Sequence, residues 1–189
     1  MVDDDPWIHV RTVHDLPADE VISALQKSIR RSALENATML AYEMYQTSAE
    51  LEEYLWQRLQ VISVEDVGSG SFLEPVVVDT LYRMHQRVER PSGDRFLFAV
   101  HALRCLVGAA KDRMTDELAN WVAMTVDREG TRPDIPDVAL DMHTARGRSR
   151  GRDLRHFLEE AAVVENEKLD RDQTYRRRLL AALDAGLLP

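Results

Sequence analysis

Cysteine occurs once in the 189 residues, at Cys105, so the chain has no disulfide framework and no thiolate zinc site. Its neighbours Ala102, Leu103, Leu106 and Val107 place that thiol in a core, where it behaves as a small buried hydrophobe. Aromatic residues make up only 6% of the chain, and its apolar positions are held mainly by Leu, Ala, Val and Met. That balance favours helices and an all-α fold. No apolar run approaches the roughly 18 residues of a membrane span. The first ten residues are acidic and poor in apolar side chains, without the basic start and apolar run of about 7–15 residues that mark a secretory signal. The expectation is a cytoplasmic protein that does not enter a membrane.

Acidic residues outnumber basic ones by 33 to 24, giving a formal charge of -9. A surface of that sign does not coat nucleic acid, because neutralising phosphates needs a basic footprint, and only a local one is compatible with this composition. At this length one substantial core is attainable, burying roughly 70% of the unfolded surface. Helix-period patterns recur with short gaps from about Leu16 to Leu187, with no long linker, and predict one domain over 1–189.

About seven or eight helices are expected. The first starts at Pro17, read as its first helical residue, and carries Val21, Ile22, Leu25 and Ile29 on one face. Ser32 with Glu35, and Thr47 with Glu50, have the spacing of capping boxes for the next two. The third aligns Leu51, Leu55, Leu59 and Ile62 and ends at Gly68. Pro75 opens a fourth, closed by the Pro91-Ser92-Gly93 turn. A fifth carries Phe96 to Val107, and Leu118, Trp121, Val122 and Val126 mark a sixth that ends near Gly130. These make a helical array over 16–130. Periodicity fails over 131–152, where Pro133, Pro136, Gly147 and Gly151 predict an irregular Arg/Gly-rich loop. Helices resume over 153–189, the first capped by Asp153 and the last spanning about Gln173 to Asp184.

Two stretches carry a resemblance. Val21-Ile22-Ser23-Ala24-Leu25-Gln26-Lys27-Ser28-Ile29-Arg30-Arg31-Ser32 is followed, at a compatible spacing, by Arg58-Leu59-Gln60-Val61-Ile62-Ser63-Val64-Glu65-Asp66-Val67-Gly68. Together they resemble the C-terminal region of the replication-associated recombination protein A family, clamp-loader-like AAA+ ATPases related to the Werner-helicase-interacting ATPases. The likeness covers about Asp19 to Pro136. It departs at Gln26, where the family has His, and has no counterpart for the Arg-rich segment after Asp141. It implies an all-α collar-like oligomerisation domain, tetrameric in those relatives, whose partners are a replication-related ATPase or DNA-processing protein. Ser23, Lys27, Ser28, Arg58, Glu65, Asp66 and Gly68 are the motif residues, read either as helix-packing and salt-bridge residues or as a partner-binding surface.

The ATPase part is missing. Gly68-Ser69-Gly70-Ser71 has no following Lys, so it lacks the group that meets the γ-phosphate in a phosphate-cradling loop, and reads as a turn. No ATP hydrolysis and no cofactor are expected. The six histidines include no His-Glu-x-x-His pair, and no metal site is expected. Asp137, Asp141 and His143 share one irregular stretch. Asp141 and His143 support an alternative reading, a small phosphate-directed enzyme or nucleotide-binding protein that also uses the neighbouring arginines. Those are Arg146, Arg148, Arg150, Arg152 and Arg155, within His143 to His156. Alternation with small residues lets guanidinium groups splay towards phosphate, giving weak, salt-labile contact with nucleic acid. The same arginines can instead pair with Asp and Glu of this or a neighbouring subunit. Both readings stand on the sequence.

Overall fold

A computed structural model describes residues 5–188. Among them nine α-helices form and no sheet does; one isolated bridge pairs Arg11 with Pro17. The chain is therefore all-α. No described helix is long and apolar enough to cross a membrane. The described residues fall into two compact units, 5–130 and 131–188.

The first unit holds α1 (Ala18–Arg30), α2 (Leu34–Thr47), α3 (Ala49–Ile62), α4 (Glu74–His85), α5 (Gly93–Gly108) and α6 (Met114–Asp127). Helix α1 buries Ala18, Val21, Leu25 and Ile29, a stripe at helical spacing, with Asp19 and Glu20 in its first turn and Lys27 and Arg30 in its last, each end matched to the helix dipole. Ala37 and Ala41 of α2 are fully buried, small enough for close helix packing. Leu51, Leu55, Trp56, Leu59 and Ile62 of α3, with Val78, Leu103 and Leu106, fill the core.

Several caps differ from expectation. Pro17 is the residue before α1 and not its first. Ser32 caps nothing: it takes a left-handed φ of 58° and its hydroxyl donates to the Val107 carbonyl at 3.1 Å. Ser48, not Thr47, caps α3 by accepting from the Leu51 amide, while Thr47 accepts from the Val13 amide and donates to the Glu43 carbonyl. In each case a tertiary partner outcompetes the local one. Cys105 is half-buried where full burial was expected, and its pKa is raised, first by desolvation and then by Glu74.

Glu52 locks α3 to α4 and α5. Although 3% exposed, it accepts from Arg90 at 2.5 Å and from Arg95 Nε at 2.7 Å. Arg95 also donates to the His85 and Val88 carbonyls and to His85 Nε2 at 3.1 Å, while His85 Nδ1 donates to the Tyr82 carbonyl at 2.5 Å. This assigns the neutral imidazole with its proton on Nδ1. Arg90 lies over the Tyr45 ring, and His85 stacks on Trp56. Lys111 closes the end of α5 by donating to the carbonyls of Leu106, Val107 and Ala109, and burial pushes its pKa down.

The second unit holds α7 (Ala145–Ser149), α8 (Leu154–His156), a π-helical turn at Phe157–Ala161, and α9 (Thr174–Asp184). Only Leu140, Asp141 and Gly147 are buried among its described residues, so it has scarcely a core of its own. Asp153 caps α8 through the His156 amide, as expected. The stretch expected to be irregular is partly ordered. A tight turn at Asp137–Ala139 leads to α7, whose first turn is capped by Thr144 accepting from the Gly147 amide.

Burial lowers the His85 pKa below its ordinary value, with Arg95 adding to the shift and the Tyr82 carbonyl and Glu52 opposing it. The unfolded chain therefore takes up this proton at higher pH than the folded one, and stability should fall as pH drops through about 6.5, by at most about 1.4 kcal/mol per pH unit for one proton. Denaturant unfolding between pH 7 and 5 checks this. His85→Gln should flatten the slope, and an equal slope in wild type and variant would remove His85 as its source.

Candidate functional site

The two motifs meet in space. Asp66 follows α3 in a π-helical turn, Ser63–Val67, and is completely buried. Its Oδ1 accepts from Arg30 Nε at 2.5 Å and lies 3.6 Å from Arg113. Its Oδ2 accepts from Gln26 at 3.0 Å. The neighbouring Glu65 accepts from Gln26 at 2.7 Å and from Arg30 at 3.2 Å, and lies 3.7 Å from Arg58. Gln26 is used at both ends of its amide, since its carbonyl oxygen accepts from Arg58 at 2.6 Å. Arg113 also pairs with Asp116. Three guanidinium groups thus surround three carboxylates, and the cluster is electrically balanced.

Ser23 and Lys27 bond to one another on the exposed side of α1, and Ser28 accepts from Asn36 of α2 at 2.8 Å. Gly68 takes a φ of 51° and sits so close to the next segment that a Cβ would lie 2.3 Å from the Asp112 carbonyl oxygen. The Asp112 amide in turn donates to the Asp66 and Val67 carbonyls, both at 3.1 Å. The glycine turn is thereby committed to joining the end of α3 to the root of α6. Arg30 and Arg113 were missed in the sequence. Arg30 lies one turn beyond Gln26 on α1, a spacing that marks it; nothing local marks Arg113.

The second candidate, in the other unit, is a folded turn. Asp141 Oδ1 accepts from the His143 amide at 3.0 Å and Oδ2 bonds the His143 ring at 2.8 Å; these bonds, the ring's first, hold the Asp141 carboxyl below the usual range. The His143 ring meets the edge of Phe157. At Gly147 a Cβ would fall 1.8 Å from the Asp141 carbonyl oxygen, so only glycine closes this turn. Arg148 donates to the Met142 carbonyl and does not join the Asp141–His143 pair in a pocket.

The arginines do not splay together. Arg150 bonds Asp137 at 2.5 Å, and Arg152 bonds Asp137 and the Asp137 and Leu140 carbonyls. The hydrogen bond from Arg152 is the largest influence on the Asp137 pKa and lowers it; desolvation opposes this, and the hydrogen bond from Arg150 adds to the lowering. Arg155 pairs with Asp184 and Glu159. Of these five arginines, Arg146 alone has no side-chain hydrogen bond or ion pair among the described residues, and it is exposed. Residues 131–189 contain eleven basic and eleven acidic residues, so the whole net charge of -9 lies in 1–130. Three of the five arginines of the turn are thus held by intramolecular ion pairs.

No cluster of three or more His, Cys, Asp or Glu placed to hold a metal occurs among the described residues. No protein-family model matches the chain, and no curated protein matches it either.

If guanidinium groups of this turn can meet phosphate, Asp137 is what restrains two of them. Asp137→Ala should free Arg150 and Arg152 and steepen the log–log salt dependence of duplex DNA binding by up to about 1.8. Fluorescence anisotropy from low to moderate salt measures this. An unchanged slope in the folded variant would remove phosphate as a ligand of these two arginines.

Proposed function

We propose that the chain is a non-enzymatic assembly and interaction module, related to the C-terminal region of the replication-associated recombination protein A family and acting in the cytoplasm. One observation carries the reading: α6 is covered by almost nothing. Met114, Leu118, Trp121, Val122, Met124 and Val126 are all exposed, Trp121 at 59%, and Thr125 alone of its residues is buried. The sequence pattern marked Leu118, Trp121, Val122 and Val126 as one helix of the expected array. An apolar helix surface of this kind in water marks a protein-binding site.

The two motifs fit the same reading, because their charged side chains are engaged in holding α1, the end of α3 and the root of α6. The partners proposed by resemblance are further copies of the chain, up to a tetramer, and a replication-related ATPase or DNA-processing protein. Contact of the Arg-rich turn with nucleic acid is a weak accessory activity in this proposal, through Arg146 and Arg148. The phosphate-directed alternative draws only on the Asp141–His143 pair, which serves the backbone of its own turn.

Light scattering over a wide concentration range tests assembly. The purified chain should have a mass above that of one 21.6 kDa chain, rising with concentration. A monomeric mass throughout would overturn the reading.

A further inference from the structure

The apolar stripe of α6 has flanks that select a partner. At 3.6 residues per turn, Met114, Leu118, Trp121, Val122 and Val126 fall along one side of the helix. Glu117 and Arg128 flank this stripe on the same edge, about three turns apart. Both are exposed, and neither makes an ion pair among the described residues. Asp116 and Asp127 fall by the same periodicity on the opposite side, away from the stripe.

Two identical helices related by a two-fold axis perpendicular to their length run antiparallel and bring like edges together. On α6 that operation carries Glu117 of one copy towards Arg128 of the other, twice, and sets the helix dipoles in opposition. A parallel pair would place like charges at the same level.

We propose that α6 is the contact between two copies of this chain, packed antiparallel through the stripe that runs from Met114 to Val126 and surrounds the buried Thr125, with Trp121 midway along its length and reciprocal Glu117–Arg128 pairs along one edge. This rests on the assembly reading above and names the surface that performs it.

Sedimentation equilibrium on the full chain tests it, with circular dichroism to verify that each variant keeps its helix content. Because Trp121 is exposed, Trp121→Glu should leave the fold intact while weakening association at least about 100-fold, as expected for a large aromatic contact residue. Glu117→Arg and Arg128→Glu should each weaken it about 5-fold by replacing two attractive pairs with repulsive ones, and the double variant should recover wild-type affinity. If wild type associates but Trp121→Glu associates equally well, another face makes the contact and this inference falls while the assembly reading stands. Failure of the double reversal to restore affinity would overturn the antiparallel pairing. A wild-type chain that is monomeric throughout would overturn both.

Discussion

A carboxylate taken out of water costs several kcal/mol unless cations and donors meet its oxygens. Asp66, completely buried, is met at one oxygen by Arg30 and Arg113 and at the other by Gln26. The rest of the first unit depends on this arrangement. Arg30 and Gln26 come from α1, Asp66 from the turn after α3, and Arg113 from the residue before α6. One side chain therefore fixes three elements. The backbone continues the lock, because the Asp112 amide reaches the Asp66 carbonyl only where Gly68 lets the two segments approach. Helix α6 is consequently anchored at its root, while its own length stays exposed.

A second buried carboxylate repeats the principle elsewhere. Glu52 gathers Arg90 and Arg95 and, through Arg95, the neutral His85, so that α3, α4 and α5 are tied by charge as well as by apolar packing. In the second unit the roles reverse. There one exposed carboxylate, Asp137, gathers arginines that would otherwise face solvent. A chain with few aromatics thus orders its connections with polar locks, and leaves a large aromatic side chain, Trp121, outside.

Much of the helical order was legible in the sequence, since stripes such as Val21, Leu25 and Ile29 or Leu51, Leu55 and Leu59 have one physical reading. Gly68 was placed correctly as a helix stop because only glycine tolerates its backbone. The capping boxes at Ser32 and Thr47 were misread, because a hydroxyl that finds a tertiary partner no longer caps. The spacing of Leu118, Trp121 and Val122 identified a helix but could not tell an apolar face that is covered from one left open. Pairing of Arg150 and Arg152 with a carboxylate was one of two readings open in the sequence, but nothing local pointed to Asp137, 13 to 15 residues earlier. Glu65 and Asp66 were singled out, yet the convergence of Arg30 and Arg113 on them is a tertiary fact with no local signature.

The central claim is that the Asp66 cluster is an energetic unit and the motifs are its parts. A double-mutant cycle of Arg30→Ala and Asp66→Ala, read by denaturant unfolding, tests it most directly. The two losses should couple by about 2 kcal/mol or more, because removing either partner already strands the other. Losses that add to within about 0.5 kcal/mol would show two independent side chains and would contradict the account.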